Sequence, residues 1–115
     1  MKMLSHEKLD VYQCATQFLS VVTEILHKMP RGYGYVSDQL QRASLSIAYN
    51  IAEAAGKNSP KDRANRFNIA RGSTLECGAI IDSLAILKIT DPQKHREAKI
   101  LLVRIAQMLS KLAPK

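Results

Sequence analysis

The chain has no tryptophan, and aromatic residues make up 5% of it, which argues against a surface built to stack bases along a strand. No apolar run approaches the roughly 18 residues that a membrane span needs, and the N-terminus lacks the charged-then-apolar order of a secretory signal. A cytoplasmic location with no membrane partner is the expectation. Cysteine is nearly missing too. Cys14 and Cys77 have no spacing that suggests metal or redox work, so both are expected to be reduced, small core residues.

Catalytic patterns are equally scarce. Gly32 and Gly34 are not followed by the Gly-Lys-Ser/Thr of a phosphate-binding loop and read as turn residues. His6, His27 and His95 sit near expected helix ends, and none is placed beside a cysteine or serine nucleophile. Glu24 and His27 have the Glu-x-x-His spacing of di-metal bundles, with Glu53 and Glu76 as possible further ligands. A second Glu-x-x-His is missing, and His27 also suits a helix C-terminus as a basic residue. The expectation is a non-enzyme with no catalytic residues, no metal and no cofactor.

What is present is a helical pattern over 115 residues, enough for one domain that buries about two-thirds of its unfolded surface. Helix one is expected from about His6 to Lys28, capped by Ser5, with Leu9, Tyr12, Leu19, Val22 and Leu26 as its core face. After the Pro30 to Tyr35 loop, Ser37 or Asp38 should cap helix two, whose Leu40, Ala43, Ile47, Ile51 and Ala54 share one face and which stops at Gly56. Ser59-Pro60 starts helix three, running to about Lys88 with Phe67, Ala70, Leu75, Gly78, Ile81 and Ala85 inward. Gly72 and Gly78 inside it each cost about 1 kcal/mol relative to alanine, so a close helix contact is expected there. Thr90-Asp91-Pro92 repeats the start signal for helix four, which carries Leu101, Ile105, Met108 and Leu112. No strand signal appears, and the short connections predict an all-α, antiparallel, up-down-up-down four-helix bundle.

Two features exceed what such a bundle needs. Val11, Phe18 and Ile25 widen the stripe of helix one, and Ile100 and Val103 that of helix four. Left exposed they would form large apolar patches, so self-association is the expectation, with a broader monomer core as the alternative. The second feature is charge. The net charge is +7, with three cations against three acids over residues 1–30 but six against two over residues 90–115. Such a balance favours an anionic partner, RNA or DNA first, through phosphate contacts. The densest group is Lys57, Lys61, Arg63, Arg66 and Arg71, at the start of helix three, where a helix N-terminus adds its own affinity for phosphate. Lys94, Arg96, Lys99, Arg104 and Lys111 form a second set; a merely solvated basic surface is the competing reading.

The stretch from Gln41 to Glu76 is small and polar where a generic bundle would place leucines. Buried Arg, Asn or Glu would need partners to offset several kcal/mol of desolvation, so Arg42, Asn50, Glu53 and Glu76 are expected to form a paired interior or interface network. Leu9-Asp10-Val11-Tyr12, Arg42-Ala43-Ser44, Ser46-Ile47, Asn50-Ile51-Ala52-Glu53, and Ala70, Gly72-Ser73 and Glu76 together resemble the bacterial four-helix-bundle proteins of the 23S rRNA intervening-sequence family. Ala54 and Lys57 depart from the glycine and arginine usual in that family. The resemblance implies a ring-like homopentamer with proposed nucleic-acid binding. It also implies kinship with the accessory protein of diversity-generating retroelements, which partners a reverse transcriptase. Two functions follow as expectations: a nucleic-acid-binding oligomer, or a protein-interaction scaffold or accessory subunit.

Overall fold

The computed structural model describes residues 3–113, in which four α-helices follow a 3-10 turn at Ser5–Lys8, with no strand among the described residues. The helices are α1 (Asp10–His27), α2 (Gly34–Ala55), α3 (Pro60–Ile86) and α4 (Pro92–Leu112). Each helix packs on its sequence neighbours, and α1 closes the bundle against α4. Cross-helix pairs give the chain sense. On α2 and α3, Gln39 meets Glu76, Ser46 meets Ser73 and Asn50 meets Arg66, so one number falls as the other rises. The same inversion relates α3 to α4, where Asp82 meets Lys99 and Arg71 meets Ser110.

The two proline-marked starts form as the sequence dictates. Ser59 Oγ accepts from the Asp62 N–H at 3.3 Å, and Asp91 Oδ1 accepts from the Lys94 N–H at 2.8 Å, each satisfying a donor that the first helical turn leaves unpaired. Two other starts differ. Ser5 lies inside the 3-10 turn, and extended backbone at Leu9 (φ −83°, ψ 128°) separates that turn from α1. Ser37 and Asp38 are inside α2, because the helix begins at Gly34 and the Ser37 N–H already bonds the Tyr33 carbonyl at 3.0 Å. The earlier start brings Val36 against the core, a packing gain that outweighs a polar cap. At the end of α3, Lys88 takes φ 60° and the Ile89 N–H returns to the Leu84 carbonyl at 2.9 Å, a left-handed stop without glycine.

The core of α2 matches expectation: Leu40, Ala43, Ile47, Ile51 and Ala54 are all buried. On α1 the inward face is instead Val11, Cys14, Ala15, Phe18, Val22 and Ile25, while Leu9, Tyr12, Leu19 and Leu26 are half-buried flanks. A helix wedged between two neighbours buries the middle of a wide apolar arc, and that middle lies one position from the predicted face. The supposed excess Val11, Phe18 and Ile25 is therefore monomer core. On α4, Ala98, Leu102, Ile105 and Leu109 are buried, whereas Ile100 and Val103 are half or more exposed. On α3, Thr74, Cys77, Ile80 and Leu84 replace Leu75 and Ala85 in the core. A Cβ added at Gly72 or Gly78 would meet nothing within 4 Å, so the expected close helix contact does not exist within the chain.

Candidate functional site

The Gln41 to Glu76 stretch forms the seam between α2 and α3. Small side chains at Ala43, Ser46 and Ser73 leave a cleft of about 440 Å³, walled by Tyr35, Gln39, Arg42 and Glu76. On its floor the Ser46 and Ser73 hydroxyls lie 2.8 Å apart and share a hydrogen bond. Gln39 Nε2 donates across the seam to the Glu76 carboxylate at 3.3 Å. Arg42 is exposed and has no carboxylate within ion-pair distance among the described residues.

Of the expected interior or interface network of Arg42, Asn50, Glu53 and Glu76, the interior form is absent within one chain. Arg42, Glu53 and Glu76 are exposed or half-exposed, and only Asn50 is held by partners on both sides of the seam. Asn50 Nδ2 donates to the Ser46 carbonyl at 2.9 Å and to its hydroxyl at 3.1 Å, while Oδ1 accepts from Arg66 at 3.4 Å. Glu53 pairs with Lys57 one turn on, at 3.7 Å. The sequence marked these positions as unusual for a bundle, and in the single chain the α2–α3 seam is open enough for the Arg42, Glu53 and Glu76 charges to reach water, so the folded chain alone does not require them to be paired.

The basic group divides by helix azimuth. Arg63 donates to the Lys57 carbonyl at 3.0 Å, which ties it over the α2–α3 turn beside Lys57, while Lys61 stands exposed in the first turn of α3. Arg66 faces α2 through Asn50. Arg71, five residues on and thus roughly 140° around the helix, donates instead to Ser110 of α4 at 3.0 Å. Arg63 and Arg66 are held by neutral acceptors, so their positive charge stays uncompensated while their geometry is fixed. Lys94 and Lys99 in the first half of α4 are treated differently, although Arg96 between them is exposed and has no ion pair among the described residues. Lys94 is ion-paired to Glu24 and to Glu97, and Lys99 bonds Asp82 at 3.0 Å beside His95, also at 3.0 Å. The hydrogen bond and charge of Lys94 hold the Glu24 carboxyl below its ordinary range, and His95 followed by Lys99 do the same to Asp82. Among the described residues, Lys61, Arg63 and Arg66 thus stand without carboxylate partners beside the positive end of α3, while Arg96, Arg104 and Lys111 are exposed without ion pairs along α4.

Glu24, the acid of the Glu-x-x-His pair, is directed to Lys94, and no three His, Cys, Asp or Glu side chains converge as a metal site among the described residues. Cys14 and Cys77 are buried and unbridged, and burial pushes the Cys77 thiol up to about 12. No helix is long and apolar enough to cross a membrane among the described residues. Tyr35 and Gln39 were not singled out by sequence reasoning. Their signal was the 35, 39, 42, 46 spacing, which aligns them on one face of α2 with Arg42 and Ser46.

A family model for the 23S rRNA-intervening sequence protein matches residues 7–111. Among solved structures, a crystal structure of a protein with unknown function from the S23 ribosomal protein family of Bacteroides thetaiotaomicron superposes with a TM-score of 0.83 at 20% identity, covering 91% of this chain and 99% of that one. At that identity the likeness establishes the fold alone. No curated protein matches the chain.

Proposed function

The chain belongs to the family of 23S rRNA-intervening sequence proteins, and we propose that it is a non-enzymatic, self-associating bundle that binds nucleic acid through phosphate contacts at the α2–α3 turn. The supporting observation is that unpaired cations with fixed geometry coincide with a helix N-terminus at this turn. Lys61, Arg63 and Arg66 stand at a helix N-terminus without carboxylate partners, whereas the cations Lys94 and Lys99 are compensated. Contacts of this kind position a nucleic-acid backbone without reading its sequence. Lys57 contributes less, since Glu53 shares its charge, and Arg71 extends the surface toward α4.

The test is binding of a generic single-stranded RNA and a DNA duplex at rising salt. Affinity should fall linearly on a logarithmic scale, and replacing Lys61, Arg63 and Arg66 by alanine should lower that slope by about one for each phosphate left unneutralised. Undetectable binding at low salt, or binding indifferent to salt, would refute the reading.

A specific surface also favours protein contacts. Leu75 and Val103 are each half or more exposed at the α3–α4 groove, whose lining includes Gly78 with open space above it, and Ile100 is a further exposed apolar residue on α4. Copies of the chain associate through this face, or an accessory role uses it for another protein. Light scattering on Leu75→Asp and Val103→Asp variants distinguishes these, because a fall from the assembled mass assigns the face to self-association.

A further inference from the structure

We propose that the α2–α3 cleft receives one unstacked nucleotide of a single-stranded RNA, with Tyr35 stacking on the base and Arg42 binding the phosphate. The site rests on the nucleic-acid reading and deepens it, since the cations at the α2–α3 turn hold a backbone while this cleft would hold a base.

The volume of about 440 Å³ falls within the roughly 300–1,000 Å³ typical of small-ligand sites. Its wall groups match the parts of a nucleotide. Tyr35 is 75% exposed, a large ring area with no role in the core of the chain. Arg42 lies two helical turns away on the same face, roughly 10 Å along the axis, leaving room between them for a sugar. Its guanidinium lacks a carboxylate among the described residues and can bind phosphate oxygens bidentately. One turn beyond Arg42, on the side away from Tyr35, the paired Ser46 and Ser73 hydroxyls offer both donor and acceptor to the ribose hydroxyl on the far side of that phosphate. Glu76, steadied by Gln39, keeps lone pairs for an N–H on a base edge.

These features fit RNA better than duplex. A base must be unstacked to enter a cleft, which is how single-stranded RNA is commonly recognised, and the 2′-hydroxyl is the group a serine pair can sense. The scarcity of aromatic residues excludes a stacking platform of many rings, but one ring serves one base. The cleft holds one cation and one acid, so its contribution to binding should be far less salt-dependent than that of the α2–α3 turn.

The probe is a 12-nucleotide single-stranded RNA carrying one central 2-aminopurine, with the DNA version as comparison, read by anisotropy and by 2-aminopurine fluorescence. Wild type should change the 2-aminopurine signal and prefer RNA. Tyr35→Ala should abolish that change and weaken binding about 10-fold at an unchanged salt slope, with Tyr35→Phe restoring both. Arg42→Ala should weaken binding and reduce the slope by about one. If RNA binds but the Tyr35→Ala and Arg42→Ala variants match wild type with the fold intact by circular dichroism, the cleft proposal fails while the phosphate-binding reading stands. If no RNA binds at all, both fail. If Arg42→Ala changes the light-scattering mass and leaves the 2-aminopurine signal unaltered, a second copy occupies the cleft and the proposal is overturned.

Discussion

Replacing Gly72 and Gly78 by alanine should stabilise the isolated bundle, although both glycines lie deep inside its longest helix. Neither has left-handed backbone, and the space above each is empty to 4 Å, so the new methyl groups displace only water. Alanine is favoured over glycine in a helix interior by about 0.8–1.0 kcal/mol, because it restricts the unfolded chain and costs nothing in the folded one. Six residues separate the two sites, roughly 9 Å along the axis, so their effects should nearly add. The double variant should gain about 1.5–2 kcal/mol, or about 6–8 °C in melting temperature for a domain of this size. Gly32→Ala supplies the opposite sign. Its φ of 94° suits only glycine, so the same methyl group there should cost about 1 kcal/mol. The assay is thermal unfolding followed by circular dichroism, at a concentration where light scattering returns the 12.8 kDa monomer. A lower melting temperature for Gly72→Ala/Gly78→Ala under those conditions would show that the helix is not open on this face. At concentrations where copies associate, the same pair should weaken assembly, since close approach along the α3–α4 face would meet the added methyls.

Phe18→Ala should destabilise by about 3–5 kcal/mol, since the ring is fully buried, whereas Leu19→Ala on the half-buried flank should cost clearly less; equal costs by denaturant titration would mean the face of α1 is misassigned. Asn50→Ala removes bonds to Ser46 and Arg66 and should cost about 1–2 kcal/mol, while Glu53→Ala at the exposed surface should stay within about 0.5 kcal/mol in the same titration. The Asp82 carboxyl is held below its ordinary 3.8 by His95 and Lys99, so its stabilising effect is present above that value and is lost as pH falls through the lower folded value. Asp82→Asn should therefore lessen the fall of melting temperature on acidification, by a small amount because the carboxylate is half exposed, and an unchanged acid limb would show that the Asp82 pairings contribute nothing to stability.

Legibility varied from residue to residue. Ser59-Pro60 and Asp91-Pro92 announced their helices because a cap and a proline act within one turn, whatever the rest of the chain does. Ser5, Ser37 and Asp38 have the same cap chemistry, yet packing near Leu9 and Val36 moved the real starts away from them. At the candidate site, Arg42 and Glu76 were singled out and do line one cleft, but as exposed walls rather than as a paired interior. Tyr35 was missed because an exposed ring looks like any other aromatic until the cleft beside it is seen.

The sequence alone determined the number of helices, their approximate ends, the core face of α2 and the family, since these depend on local hydrogen bonding, a clean apolar period and a specific run of residues. Only the tertiary structure decided which part of the wide apolar arc of α1 faces inward, that Gly72 and Gly78 border open space, and which cations are neutralised. Glu24 and Lys94 lie 70 positions apart, and Asp82 of α3 reaches His95 and Lys99 of α4. Pairings of that kind are fixed by the rotation of each helix about its axis, which the packing of the whole core sets and no local segment encodes.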